Sequence, residues 1–127
     1  MNKYAVGVLI NDIHLDKSNG SLVKDIFQQL MKVCEEYNTH RIFCGGDVFT
    51  NRSGQPLQCL TDWKEILEIL TKKGFEFYVI PGNHDKTDSN SERSYLDIFG
   101  EKCVHLYRSA GRVLFDGCVI GFITYFQ

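Results

Sequence analysis

The sequence has 127 residues, a formal net charge of −2 at pH 7, and hydrophobic and charged fractions of 43% and 24%. This length suits a single domain over residues 1–127 with one hydrophobic core, and the composition excludes a disordered chain. The charge excludes a protein that binds nucleic acid through a basic field alone, but it is compatible with an enzyme that holds phosphates through metal ions.

The first elements of the chain are predicted to be a strand and a helix. Residues 4–10 form a continuous apolar, β-branched run, which is typical of a strand that is buried on both faces. Residues 21–38 have helical periodicity, and Ser21 and Asn38 suit the start and the end of a helix. The predicted buried stripe of this helix comprises Leu22, Ile26, Phe27, Leu30, Cys34 and Tyr37.

A second strand, a second helix and a third strand follow at residues 41–46, 56–73 and 75–80. Pro56 suits the first turn of the helix, and Gly74 suits the position after its end. The resulting β-α-β-α-β order predicts an α/β fold in which neighbouring strands are parallel and the helices cover the sheet.

The pattern changes in the last part of the chain, where residues 94–99 predict a short helix. The further strands predicted here are residues 104–107, 112–115 and 118–126. Asp116 and Gly117, between the last two strands, are typical of a type I′ hairpin turn. We therefore expect these later strands to be antiparallel.

Polar side chains follow each of the first three strands. They are Asp12 and His14 after the first strand, Asp47 after the second, and Asn83, His84 and Asp85 after the third. The carboxyl ends of parallel strands meet at one edge of a sheet, where such folds bind ligands, so we expect these side chains to converge. Carboxylate, imidazole and amide groups suit divalent Mn, Fe or Zn. Residues two apart on an extended segment point the same way, which predicts that Asp12 and His14 bind one ion.

Three motifs, "DIH" from Asp12, "GGDVF" from Gly45 and "PGNHD" from Pro81, occur in this order. They resemble the first three motifs of the calcineurin-like metallophosphoesterases, and "DIHLD" and "GGDVF" resemble the SbcD-type DNA-repair exonuclease branch more than the protein phosphatases. The resemblance implies an α/β/β/α four-layer sandwich, of which this chain would be the N-terminal half. It also implies a DNA exonuclease that uses a water activated by two divalent ions, Mn foremost, with Fe, Zn or Mg as alternatives. An ATPase subunit of SbcC type would be its partner.

The resemblance implies a metal-binding role for four residues. Asp12 and His14 would bind the first ion, Asp47 would bridge both ions, and Asn83 would bind the second. The later histidine ligands of the family are not found, since the four histidines of the chain are at positions 14, 40, 84 and 105. We therefore expect a domain truncated at its C-terminal end, which binds the second ion poorly and could be inactive alone.

The resemblance also implies catalytic roles in the second and third motifs. His84 would contact the phosphate as the general acid, and Asp85 would orient His84 and raise its basicity. The middle motif of the superfamily has an acid and then an arginine where this chain has Thr50 and Asn51, and Arg52 is displaced by one residue. Arg52 therefore stays a candidate for binding substrate.

Two alternatives to a DNA nuclease stay open. The chain could be another calcineurin-like phosphoesterase that acts on small nucleotides or phosphoproteins. It could also be a catalytically incomplete module that binds metal or a protein partner. Cleavage of DNA, hydrolysis of a small phosphodiester, and metal binding without turnover distinguish the three.

The five cysteines and the apolar runs bear on the location of the protein. The cysteines form no Cys-x-x-Cys pair, so neither a disulfide framework nor a thiolate zinc site is indicated. Free thiols favour a reducing, cytoplasmic location. The N-terminal apolar run has no signal-peptide cleavage site, and no apolar stretch approaches the roughly 20 residues that span a bilayer. We expect a cytoplasmic protein without membrane contact.

Overall fold

The computed structural model describes residues 3–86 and 93–124. The helices and strands in these ranges are β1 (Val8–Ile10), α1 (Gly20–Glu36), β2 (Arg41–Cys44), α2 (Leu57–Lys72), β3 (Glu76–Val79), β4 (Val104–Leu106), β5 (Gly111–Phe115) and β6 (Cys118–Phe122). Short 3-10 helices span Asn83–Asp85 and Tyr95–Ile98. The elements predicted from the sequence are therefore present. Most are shorter than predicted, whereas β5 begins one residue earlier, at Gly111.

The strands form two sheets. The first has the order β1-β2-β3-β4 and is parallel throughout, while β5 and β6 form a separate antiparallel pair. The expectation of antiparallel pairing is confirmed for β5 and β6 but is wrong for β4, whose Val104 aligns with Phe77 of the parallel β3. The segment between β3 and β4 is long enough to return to the starting end of the sheet, as a parallel connection requires.

The strand β1 lies at the edge of the sheet and pairs with β2. Its central residue, Leu9, is 68% exposed, so the prediction of a strand buried on both faces is wrong. A continuous apolar run does not reveal whether a strand is central or at an edge, because that depends on which strands pair with it.

The helix α1 also differs from its predicted orientation. Its buried residues are Gly20, Val23, Phe27, Met31 and Cys34, whereas Leu22, Ile26 and Tyr37 of the predicted stripe are exposed. Apolar residues occupy a broad arc of this helix, and packing selects one part of that arc. The predicted end is confirmed by the left-handed φ of 56° at Asn38, but Asn19 takes the capping position assigned to Ser21.

A hydrophobic core fills the space between the two helices and the parallel sheet. Trp63 of α2 is at its centre, with ring centroids 5.7 Å from Phe27, 5.6 Å from Phe77 and 6.4 Å from Phe49. Phe49 follows the carboxyl end of β2 and is fully buried. The core therefore anchors the loop that carries Asp47, two residues earlier.

The hairpin of β5 and β6 packs on the opposite face of the parallel sheet through a second cluster that contains Phe43, Tyr78 and Phe122. Asp116 and Gly117 have φ values of 49° and 82°, which fits the predicted type I′ turn. Residues 125 and 126 of the predicted last strand lie outside the described residues. Within the described part of the chain, no helix has the length and apolar character needed to cross a membrane.

Candidate metal centre

The loops that follow β1 and β2 bring Asp12, His14 and Asp47 together. One ligand atom from each lies within 4.8 Å of the others. His14 Nε2 is 3.8 Å from Asp12 Oδ1 and 4.0 Å from Asp47 Oδ2. Two atoms bound at about 2.1 Å to one ion are separated by at most about 4.2 Å, so these distances suit a shared ion. Two carboxylates and an imidazole therefore form a fitting site for a divalent metal.

The backbone at these three residues is unusual. Asp12, His14 and Asp47 have φ values of 53°, 53° and 54°, in the left-handed region that non-glycine residues seldom adopt. The reasoning that placed Asp12 and His14 on an extended segment is thus wrong, although the two side chains do converge. Such conformations cost about 1 kcal/mol or more each and persist where surrounding structure enforces them.

Hydrogen bonds between the two loops enforce this backbone. Asp12 N donates to Gly46 O at 3.3 Å, His14 N to Asp47 O at 3.0 Å, and Leu15 N to Val48 O at 2.7 Å. These bonds extend the pairing of β1 and β2 beyond the ends of the strands. The candidate metal ligands are therefore held by main-chain pairing that no side-chain pattern specifies.

The third loop places His84 against the other two. His84 N donates to Asp47 Oδ1 at 2.8 Å, and its ring stacks on that of His14 with 5.6 Å between centroids. His84 Nδ1 lies 2.6 Å from Thr50 O. A carbonyl oxygen only accepts, so Nδ1 carries a proton, and Nε2 is the ring nitrogen left to exchange a proton with a substrate. Asn83 precedes His84 in the same 3-10 helix, and its role as a ligand of a second ion stays a prediction.

The predicted contact between Asp85 and His84 is wrong, because both carboxylate oxygens of Asp85 are engaged elsewhere. Oδ1 accepts from Phe49 N at 3.1 Å, and Oδ2 accepts from Gly82 N at 2.8 Å. Burial raises the pKa of Asp85 to about 6, although the bonds from these amides lower it. Asp85 therefore ties the loop after β2 to the loop after β3.

Arg52 lies in the exposed loop that follows β2. Its backbone oxygen accepts a hydrogen bond from Tyr95 Oη at 2.6 Å, which ties this loop to the 3-10 helix Tyr95–Ile98. The contact involves the main chain of Arg52 rather than its guanidinium. Substrate binding by Arg52 stays a prediction.

Glycines allow the loops to approach closely. A Cβ atom at Gly82 would lie 2.3 Å from Asp47 Oδ1 and 2.4 Å from Asp47 N. Gly46 has a φ of 103°, and a Cβ there would lie 2.6 Å from Gly82 N. Both positions exclude a side chain, since backbone atoms are in the way.

A Gly82→Ala substitution is therefore expected to displace Asp47 and weaken metal binding by roughly 10- to 100-fold, the range seen when the support of a ligand is lost. Titration with Mn²⁺ by calorimetry measures this. Gly54→Ala is the matched control, because a Cβ at Gly54 meets nothing within 4 Å. Equal affinities for the two variants would contradict the close packing of Gly82 on Asp47.

Sequence reasoning missed two contributions to the site, the carbonyl of Thr50 and the bridging role of Asp85. In the sequence, Thr50 differs from the acidic residue that the superfamily has at this position, and this difference does not predict a contact with His84. Its contact with His84 is made by a backbone oxygen, which every residue has. No sequence signal could therefore have indicated it.

Comparisons with known proteins bear on the family and the fold of this chain. The sequence model of the calcineurin-like phosphoesterase family matches residues 8–124. Among solved structures, the nuclease MPE from Pseudomonas putida is similar, with a TM-score of 0.51 and 16% sequence identity. The match covers 78% of this chain and 46% of that nuclease, so this chain spans less than half of its length. At this identity the likeness concerns the fold alone. The comparison with curated proteins gives no match.

Proposed function

The chain belongs to the calcineurin-like phosphoesterase family, and we propose that it acts as a metal-dependent nuclease that hydrolyses the phosphodiester bonds of DNA. The observation that carries the proposal is the convergence of Asp12, His14 and Asp47 beside His84. The choice of DNA is supported by the SbcD-like motifs and, by analogy of fold, by the similar nuclease. Mn²⁺ is the proposed ion, because the resemblance to the SbcD-type branch implies it and the two carboxylates suit it. An SbcC-type ATPase partner and a cytoplasmic location belong to the same proposal.

The metal-binding residues and His84 have different roles in the proposed reaction. Asp12, His14 and Asp47 would hold a divalent ion, which supplies an activated water and positive charge next to the phosphate when it is bound. His84 would act through Nε2, since Nδ1 is engaged by Thr50 O. Protonated there, the ring can give a proton to the leaving oxygen.

We propose that a second ion, with Asn83 as one ligand, binds more weakly than the first. The cluster of Asp12, His14 and Asp47 gathers the ligand atoms for one ion. Calorimetric titration with Mn²⁺ is expected to show one tight site and one weak site per chain. Two equally tight sites would contradict this proposal.

The function is tested by incubating the protein with Mn²⁺ and either linear DNA or bis(4-nitrophenyl) phosphate, with EDTA as the metal-free control. Because this chain gathers the ligand atoms for one ion, we expect DNA to be degraded in Mn²⁺ even without the later histidines, and to stay intact in EDTA. Hydrolysis of the small phosphodiester without DNA cleavage would indicate a phosphoesterase for small nucleotides or phosphoproteins. Metal binding without any turnover would indicate an interaction module. Either result overturns the nuclease proposal.

His84→Ala is expected to lower kcat by roughly 10²- to 10⁴-fold, the usual contribution of a general acid. Metal affinity should be retained, because the bond to Asp47 Oδ1 comes from the backbone N–H, which alanine keeps. Initial rates and Mn²⁺ titrations on the same preparation measure both. His40→Ala, in an exposed residue just before β2, is the matched control and should keep full activity. Unchanged turnover in His84→Ala would contradict the assigned acid.

A further inference from the structure

Thr50 forms hydrogen bonds to two of the three loops that build the metal centre, and it belongs to the remaining one. Its N–H donates to Leu15 O at 3.0 Å, and its Oγ1 donates to His14 O at 2.7 Å. Its own carbonyl accepts from His84 Nδ1 at 2.6 Å. One residue therefore connects the loop after β1, the loop after β2 and the 3-10 helix that carries His84.

The bond from His84 to Thr50 O determines how the imidazole is presented. It places the proton on Nδ1 and holds one edge of the ring, while the face of the ring stacks on His14. Nε2 is left as the nitrogen that can exchange a proton with a substrate. The direction of Nε2 thus depends on where the carbonyl of Thr50 lies.

The position of that carbonyl is in turn determined by two bonds to the loop that carries His14. The hydroxyl of Thr50 shares His14 O with Asn19 Nδ2, which donates at 2.9 Å from the start of α1. The N–H of Thr50 is bound to Leu15 O. Removing the hydroxyl would therefore remove one hydrogen bond between the loop after β2 and the loop after β1. The bond from Asn19 Nδ2 to His14 O would remain.

We propose that Thr50 is a positioning residue, whose hydroxyl fixes its carbonyl so that His84 is held in one tautomer and one orientation beside the metal ligands. The hydrogen bonds of Thr50 do not depend on which reaction the protein catalyses, whereas the effect of Thr50 on turnover rests on the proposed nuclease function. The role proposed for Thr50 is exerted through His84.

The test uses Thr50→Val, which keeps the β-branched shape and loses the hydroxyl, and Thr50→Ser, which keeps the hydroxyl. In protein labelled with ¹⁵N-histidine, NMR detects the hydrogen-bonded Nδ1–H of His84 as a separate resonance. The resonance is assigned to His84 by its absence from the spectrum of His84→Gln. We expect this resonance in the wild type and in Thr50→Ser, and its loss through solvent exchange in Thr50→Val. Thr61→Val is the matched control, because Thr61 Oγ1 also donates to a backbone oxygen, that of Leu57, at 2.9 Å.

Turnover is measured on the same variants. Thr50→Val is expected to lower kcat by about 10- to 100-fold with KM unchanged, as expected for a misplaced catalytic group, and Thr50→Ser should recover most of it. If valine prevents folding, Thr50→Ala supplies the same readouts. The proposal would be overturned if Thr50→Val and Thr50→Ala kept both the His84 resonance and the wild-type kcat. It would also be overturned if Thr61→Val reduced the resonance and kcat as much as Thr50→Val does. If the resonance behaves as expected but the wild type cleaves no DNA, the positioning role stands and the nuclease function fails.

Discussion

An Asp47→Asn variant is expected to lose divalent-metal binding and, with it, hydrolysis of phosphodiesters. Asparagine can still accept the bond that His84 N gives to Asp47 Oδ1, so the loops should keep their arrangement. Its amide nitrogen would then replace Oδ2, the oxygen 4.0 Å from His14 Nε2, and a donor cannot bind a cation. We expect Mn²⁺ affinity to fall by more than the roughly 100-fold that the loss of a supporting partner causes.

The matched control for Asp47→Asn is Asp25→Asn, which removes the same charge from an exposed position on α1. Calorimetric titration with Mn²⁺ should give the wild-type affinity for the control and no measurable tight site for Asp47→Asn. If both variants bind Mn²⁺ as tightly as the wild type, the metal site is not at the ends of β1 and β2.

Asp85→Asn is expected to lower the free energy of unfolding by about 2 kcal/mol, since one buried amide would lose its acceptor. Asp85 is fully buried and accepts from Phe49 N and Gly82 N with different oxygens. Asparagine has one acceptor oxygen, so its NH₂ group would face one of the two N–H donors. Urea unfolding without metal measures the change, at pH 8, where the wild-type carboxyl, with its pKa of about 6, is ionised.

Asp12→Asn serves as the control, because the side chain of Asp12 is 71% exposed and its loss should change metal binding rather than the stability of the metal-free protein. An Asp85→Asn variant with the stability of the wild type would contradict the bridge that Asp85 forms between the two loops. A loss of stability supports the bridge between the two loops.

Several features of this protein could be predicted from the sequence because they depend on neighbouring residues. The helix over Leu57–Lys72 follows from its apolar period, and its end follows from Gly74, which has the expected left-handed φ of 78°. The hairpin follows from Asp116 and Gly117. Parallel pairing of β1, β2 and β3 follows from the helices between them, and it brings Asp12 and Asp47 to one edge.

Other features depend on which surfaces meet, and the sequence predicted them incorrectly. The apolar arc of α1 includes both Phe27, which is buried, and Leu22, which is 61% exposed, and both fit the same helical period. Similarly, nothing within β4 distinguishes a parallel from an antiparallel neighbour. Packing between distant segments decided both outcomes.

The sequence by itself determined the kinds of groups at the candidate metal centre and the loops that carry them, because side-chain chemistry and strand ends are local properties. Only the tertiary structure decided the partners of these groups. His84 is held by the carbonyl of Thr50, and Asp85 is held by the amides of Phe49 and Gly82. Every residue type offers a backbone carbonyl, and all but proline offer an N–H, so such partners become apparent only when the chain has folded.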